Sequence, residues 1–429
     1  MKRLIALGLT ATLAGTLLSG CGGTNSGSQT QSGESASTDK NVTLQVLWFS
    51  DGTEGDVMME LAHQYEEENP GVTIELIETP YDEVDNKLKN MLAAGSPPAI
   101  ARVSSFAAYE NQLVTLTDYA ESGDAFRDNF YDSLMFEIDG KMVAAPMDVT
   151  ANGMIYNKTA FDKAGVSVPT SPDEVWTWDE YTEAVKTVME KGGVKYGLVY
   201  DRSPFRFTTM LYQFGGRMLN EDMTASAFNS AENIAAVQKF VDLHNEGVIP
   251  TSVWLGSEDP NNLFRTGQIA THIGGSWLLS NYRTEITDFE WGVTYLPKEV
   301  QRSTIPGGKY LCAFQGSGVE EEAVKFIEWI SQPEQNAYYC EKNYFLSPVK
   351  GNEELNYDYG KEMFAIFADE LANTSEVPGT EWGYQALTAL VQNDMRDLLA
   401  ETLNGKYTAE EYTAQMDQVI NNALAELNA

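Results

Sequence analysis

Residues 41–103 read NVTLQVLWFS DGTEGDVMME LAHQYEEENP GVTIELIETP YDEVDNKLKN MLAAGSPPAI ARV. Val42, Leu44, Val46 and Trp48 recur at every second position, the period of a half-buried strand, and this run ends at Phe49-Ser50-Asp51-Gly52. From about Asp56 to Glu68 the apolar residues Val57, Leu61, Ala62 and Tyr65 fall on one helical face, and Asn69-Pro70-Gly71 stops the helix. Val72 to Ile77 is a second strand. Asp82 is placed to cap a second helix, whose apolar side holds Val84, Leu88, Met91 and Leu92 and which ends by Gly95 to Pro98. Ala99 to Val103 is a third, buried strand. Parallel strands need a crossover, which a helix supplies, so this alternation predicts an α/β lobe with a largely parallel sheet. Ligands on such sheets sit beyond the carboxyl ends of the strands. That places Trp48 to Gly52, Tyr81, and Ser104 to Phe106 on one rim.

Toward the C-terminus, Lys141 to Tyr156 holds two short strand-like pieces around Ala145-Pro146-Met147-Asp148, a stretch suited to cross into a second lobe. Helices are expected over Asp179 to Lys191, Ala231 to Glu246, Glu320 to Ser331 and Ala386 to Leu403. Strands are expected over Tyr196 to Tyr200, Ile269 to Gly274 and Trp291 to Leu296. There is no repeat at a fixed period and no heptad run. About 389 residues follow the first 40, more than a single core usually serves, so two domains are expected.

At the other end, Lys2 and Arg3 precede an apolar run from Leu4 to Leu18, the pattern of a secretion signal and too short to span a bilayer well. The run closes on Leu18-Ser19-Gly20-Cys21, which looks like a bacterial lipobox; the alternative is an ordinary signal with a chance cysteine. The reading assigns 1–20 to a lipoprotein signal and Cys21 to acylation. A tether of Gly, Ser, Thr, Gln and Asn then runs to residue 40, too polar to fold alone. Two or more acyl chains on Cys21 would hold the protein at a membrane.

The chain carries a formal charge of -35, and losing Lys2 and Arg3 would make it about -37. Such a field repels nucleic acid and disfavours anionic solutes, although acidic surfaces also serve solubility alone. Beyond Cys21 only Cys312 and Cys340 remain, in no metal-binding spacing; a disulfide between them and two buried thiols are both open. No cofactor and no metal are expected.

An ordered series of segments resembles one known family. Trp48-Phe49-Ser50-Asp51, Ala145-Pro146-Met147-Asp148 and Ile155-Tyr156-Asn157-Lys158 come first, followed by Pro172 to Tyr181 with Trp178-Asp179-Glu180. Phe214-Gly215-Gly216, Phe264 to Ala270, Gly275-Ser276-Trp277, Trp291-Gly292-Val293, Leu296-Pro297, Gly307-Gly308 and a helical tail continue it. From Val42 to Leu427 the chain resembles the extracellular solute-binding proteins of the maltose-binding type, or family 1, which serve carbohydrate ABC importers. The resemblance implies a two-lobed fold of the type II periplasmic-binding-protein kind, with an interlobe cleft and several crossovers. It places lobe 1 at 41–148 plus 302–350 and lobe 2 at 149–301 plus 351–429. It further implies a monomer outside the cytoplasm, anchored by its lipid, whose partners are a carbohydrate and the importer's permease subunits.

A sugar offers hydroxyls at its edge and C–H patches on its faces, so its site needs planar aromatics and hydrogen-bonding side chains. Trp277 follows Gly274-Gly275-Ser276, where small residues let a ligand approach, and the resemblance gives an aromatic here a stacking role. Its competing role is a wedge between strand and helix. Trp382, in Gly379-Thr380-Glu381-Trp382, is similar to a family position that faces the cleft; burial is its alternative. Trp48, Ser50 and Asp51 follow from the rim, where a carboxylate can accept two hydroxyls, and Asp51 is equally suited to cap the helix near Asp56. Tyr81, Ser104 and Ser105 share that rim, the serines doubling as turn caps. Asp148 follows the crossover proline and faces either the gap or the hinge. Arg206 suits a hydroxyl, a carboxylate or a surface ion pair, and Phe205 beside it suits the core. Gly308 and Tyr310 lie where the chain re-enters lobe 1, and Gly307-Gly308 permits close approach.

Other classes fit less well. No GxSxG, HExxH, Walker loop or GxGxxG occurs, and His63, His244 and His272 are scattered. A secreted glycoside hydrolase would need two carboxylates at a set distance, which 63 acidic residues supply by chance. The same fold holding a polyamine or other small cation in an acidic, aromatic cage is the nearer alternative. An adhesin or structural lipoprotein would need no closing cleft.

Overall fold

Strand β1 (Val42–Trp48) pairs in parallel with β2 (Val72–Glu78) and with β3 (Ile100–Val103). The helices Glu54–Glu68 and Tyr81–Ala93 supply the two crossovers. This computed structural model describes residues 41–428 apart from 51, 132, 133, 136 and 139 and the side chain of 82. β4 (Ala145–Thr150) and β5 (Asn152–Asn157) follow, then β6 (Tyr196–Val199), β7 (Ile269–Gly275), β8 (Trp291–Thr294) and β9 (Gly307–Ala313). Among the described residues the strands form two sheets, ordered β2-β1-β3-β9-β4 and β6-β7-β5-β8. β9 runs antiparallel to β3 and β4, and β5 runs antiparallel to β7 and β8. Each sheet is therefore parallel with one reversed strand, the mixed α/β class expected.

The reversals follow from connectivity and position the site. β4 stays in the first sheet through Thr150, past the expected crossing at Asp148, and only Ala151 separates it from β5. A strand that leaves one sheet at its carboxyl rim and enters the next at that sheet's rim must run against its new neighbours. β9 returns by the segment 302–306 under the same constraint. Thr150 pairs with Gly307 and Asn152 with Gly275. The carboxyl rims of both sheets thus meet across one residue, roughly 3.3 Å of chain.

Each sheet has its own apolar packing. Leu44, Val46 and Trp48 of β1 point into one core with Phe326 and Ile327 of the helix Glu320–Ile330. The second sheet packs with the helices Gln385–Leu403 and Ala409–Leu427, whose Leu387, Val391, Met395 and Tyr412, Met416, Ile420 recur at helical spacing. Trp178–Lys191 opens on a capping box in which Thr177 and Glu180 bond each other's backbone N–H, each such cap contributing about 1 kcal/mol.

Several local expectations change. The helix Tyr81–Ala93 starts after Pro80 with no side-chain cap bond, so Asp82 lies within its first turn and is not its cap. Pro204–Gln213 and Pro333–Asn343 are helices that open on proline, which suits a first turn because its N–H would be unpaired there anyway. Glu376–Gly383 is helical despite Pro378 and Gly379. Cys312 in β9 and Cys340 in the helix Pro333–Asn343 are free, buried thiols that pack in different cores, and burial pushes both pKa values up. Among the described residues no helix is long and apolar enough to cross a membrane, and no cluster of His, Cys, Asp or Glu is arranged to hold a metal.

Candidate functional site

β7 ends at Gly275, the Ser276 N–H donates to the Ala151 carbonyl (3.2 Å), and Trp277 stands at the N-cap of the helix Leu278–Glu285. That turn folds the half-buried Trp277 indole back over Gly275, so tightly that a Cβ on residue 275 would overlap the ring. The ring packs against the cores of both sheets. Arg206, buried in the helix Pro204–Gln213, lays its guanidinium 4.7 Å over the Trp277 ring and 5.4 Å from that of Phe205. One terminal nitrogen donates to Asn152 Oδ1, and Nε stands 3.5 Å from Asp201 Oδ2. Phe205 meets Trp382 edge-on at 5.0 Å, and Trp382 Nε1 donates to Thr208 Oγ1 (3.0 Å). The neighbouring Glu381 carboxylate accepts from the Tyr212 hydroxyl and from the Met218 and Leu219 N–H groups, which fixes the Glu376–Gly383 helix. The second sheet's half therefore presents a wall of Trp277, Arg206, Phe205 and Trp382.

The opposing rim belongs to the first sheet. Tyr81 is 50% exposed and leans edge-on against Phe49 at 5.0 Å. β9 is reversed, so its start lies with the carboxyl ends of β1 and β3. Lys309 accordingly holds its Nζ 5.9 Å from the Tyr81 ring and 6.0 Å from that of Phe49. A Cβ on Gly307 would lie 3.5 Å from Phe205, and one on Gly52 3.1 Å from Ser280 Oγ, so the halves abut at both places.

Of the sequence candidates, Tyr81, Arg206, Trp277 and Trp382 come together here. Trp48 does not: β1's alternation sends it inward, fully buried, with Tyr339 edge-on at 6.2 Å. Asp148 is a buried ion-pair partner, its Oδ2 3.0 Å from Arg102, which also donates to the Phe49 carbonyl. Burial alone would lower the Arg102 pKa, but Tyr339, Asp148 and Glu54 outweigh it and raise the value. Tyr310 packs inward against Phe106 at 5.1 Å. Gly308 is a ladder position whose added Cβ would strike the Asp148 carbonyl. The Ser50 hydroxyl is buried with no hydrogen-bond partner among the described residues, and Ser104 is exposed. Ser105 donates to Gln385 Oε1 (3.0 Å), as do the Phe106 and Ala107 N–H groups, tying the rim to the helix Gln385–Leu403. Asp51 and Cys21 lie outside the described residues.

Sequence reasoning passed over Phe49, Asn152, Asp201, Lys309 and Gln385. Lys309 had a readable signal, since neighbours in a strand point to opposite faces and Tyr310 is apolar. His272 is no part of the wall: burial lowers its pKa to about 4, and its ring bonds the Tyr282 hydroxyl. A cavity of about 1410 Å³ bounded in part by Val149, Pro306, Leu346, Phe364, Thr380 and Tyr384 contains none of the candidates.

Over residues 60–359, about seven-tenths of the chain, the sequence matches the bacterial extracellular solute-binding proteins. The chain belongs to that family. Among the relatives of this solute-binding protein is a putative binding protein of Brucella abortus, 24% identical over 376 residues, covering 83% of this chain and 88% of that one. A lactose-binding protein of Rhizobium radiobacter is 24% identical over 300 residues, covering 66% and 68%. In structure the chain is similar to an ABC substrate-binding protein of Listeria monocytogenes in complex with cycloalternan. The TM-score is 0.78 at 23% identity, over 90% of this chain and 100% of that one. It is also similar to maltose-bound MalE3 of T. maritima, with a TM-score of 0.71 at 22% identity over 90% and 100% of the two chains. The resemblance read from the ordered segments is borne out at the level of family and of fold.

Proposed function

We propose that this solute-binding protein captures a sugar or oligosaccharide between its two halves, outside the cytoplasm, and delivers it to an ABC importer. The observation that carries the reading is the pairing of flat aromatics across one crevice, Trp277 and Trp382 on one side and half-exposed Tyr81 on the other. Aromatic faces suit sugar C–H patches, and Arg206 and Lys309 can serve the hydroxyls, with Asn152 holding Arg206 in place. The relatives named for lactose and for arabinooligosaccharides support the same class. Arg206 and Lys309 in the crevice speak against the polyamine alternative, because a cationic solute would meet two cations there.

Solute contacts from both walls exist together only in the closed arrangement, so binding favours closure. The closed face is then what the permease reads. The protein itself turns nothing over in this reading. Cys21 carries the lipid that keeps it at the membrane, which requires a diacylglyceryl mass on the Cys21 peptide of membrane-extracted protein. The functional test is a thermal-shift screen of mono- and oligosaccharides with polyamines included. A cognate sugar should raise the melting temperature in proportion to the logarithm of its concentration once it exceeds Kd. A panel that leaves the transition in place with every sugar, or shifts it with polyamines alone, would overturn the carbohydrate reading.

A further inference from the structure

We infer that the solute of this crevice is an acidic saccharide, one whose sugar carries a carboxylate or phosphate group held between Arg206 and Lys309. The inference rests on the carbohydrate reading above and narrows it. The total charge of -35 disfavours anions at long range, but the charges of Arg206 and Lys309 that face the crevice are cationic.

Among the described residues, Arg102, Arg206 and Arg302 have side chains largely out of water, and Arg206 differs from the other two. Arg102 meets Asp148 at 3.0 Å, and Arg302 meets Asp369 at 2.8 Å and Glu370 at 3.1 Å. In both, carboxylates outweigh the effect of burial and raise the pKa. Arg206 is buried against two aromatic rings, and its one close hydrogen bond goes to a neutral amide, that of Asn152. The Asp201 carboxylate stands 3.5 Å from Nε, and its side chain is 38% exposed, so water screens it. Among the described residues Nε has no partner nearer than this carboxylate. Here burial is the dominant influence and the pKa falls. A cation taken out of water without a matched anion is costly, and it becomes favourable when an anion arrives.

Lys309 repeats the pattern from the other rim. Its ammonium faces the Phe49 and Tyr81 rings, and among the described residues it forms no ion pair. Gly307, two residues before Lys309 on β9, abuts Phe205, and Phe205 flanks Arg206, so both cations belong to the same crevice. A neutral sugar would leave Lys309 without an anion, and Arg206 with only the solvent-screened Asp201, as the crevice closes and water is expelled. An acidic one would answer them, with charge-assisted hydrogen bonds about twice as strong as neutral ones.

Isothermal titration of the full chain decides the matter. The acidic probes are glucuronate, galacturonate, digalacturonate and glucose 6-phosphate; the neutral ones are glucose, galactose and galactobiose. At least one acidic probe should bind tenfold or more tightly than its neutral counterpart, with affinity falling as salt rises. Carboxylate and phosphate arms distinguish the two sources of the anion. Lys309→Gln, a partly exposed position, should cut that acidic-to-neutral ratio several-fold. Neutral sugars binding as well as or better than acidic ones, or a ratio that Lys309→Gln leaves in place, would overturn the inference while sparing the carbohydrate reading. Failure of every saccharide would sink both.

Discussion

Asp148 sits at the junction of the two sheets, where its carboxylate faces the interior and meets Arg102 at 3.0 Å, with almost no exposure on either side chain. The Coulombic attraction of such a pair is largely offset by desolvation, so the pair itself adds little. Breaking it is another matter, because Asp148→Ala would strand the Arg102 guanidinium between the Trp48 and Phe49 rings. Urea unfolding should show a loss of about 3–5 kcal/mol. A loss under about 1 kcal/mol would mean that water reaches Arg102 and that the pair is not sealed. The choice between cleft and core was invisible in sequence because it depends on Arg102, 46 positions away, arriving on β3.

At the scale of elements, the strand-to-helix turn at the end of β7 controls the aromatic wall. Trp277→Ala removes an indole that packs against both cores and beneath Arg206, so the melting temperature without ligand should fall by a few degrees while saccharide affinity falls at least tenfold. Gly275→Ala tests the same wall by a different route. The new methyl group must displace the ring that now covers residue 275, so affinity should fall several-fold with the indole still present. Full affinity in Gly275→Ala would show that the solute does not use the indole in this position. Elements such as β1, β7 and Trp178–Lys191 were legible in sequence because periodicity and caps agree there. Pro204–Gln213 and Glu376–Gly383 were not, since proline and glycine read as breaks where one opens a helix and the others lie within one. Those two helices carry Arg206 and Trp382. The individual site residues were therefore quoted before their scaffold could be seen; for Lys309 the alternation with Tyr310 marked its face, but which rim that face joins depends on the reversal of β9, a property of topology.

The molecule as a whole depends on the segment 302–306, which carries the chain from the second sheet back to the first and is tied to the helix Lys361–Ala372. The Thr304 N–H donates to Thr374 Oγ1 (2.8 Å), and Arg302 reaches Glu370, which also accepts from the Leu296 N–H (2.8 Å). Burial pushes the Glu370 pKa up to about 7, although Arg302 and the Leu296 N–H act against it. Folding therefore favours the protonated carboxyl. Its contribution is complete below the unfolded value of about 4.3 and is lost as pH rises toward about 7. The buried His244 and His272 have the opposite sign. Burial lowers both to about 4, so their contribution is present above about 6.5 and is lost as pH falls toward about 4. Between pH 5 and 7 the two effects oppose each other in the native protein. Glu370→Gln keeps an acceptor for Leu296, removes the titration and leaves the histidines unopposed, so stability should rise more steeply with pH in the variant. The gap between variant and native protein should move by about 2 kcal/mol in the variant's favour from pH 5 to pH 7. Urea midpoints at the two pH values measure it. A gap that stays constant would place Glu370 as an ordinary ionised partner of Arg302 throughout, and the junction between the halves would then be insensitive to pH in this range.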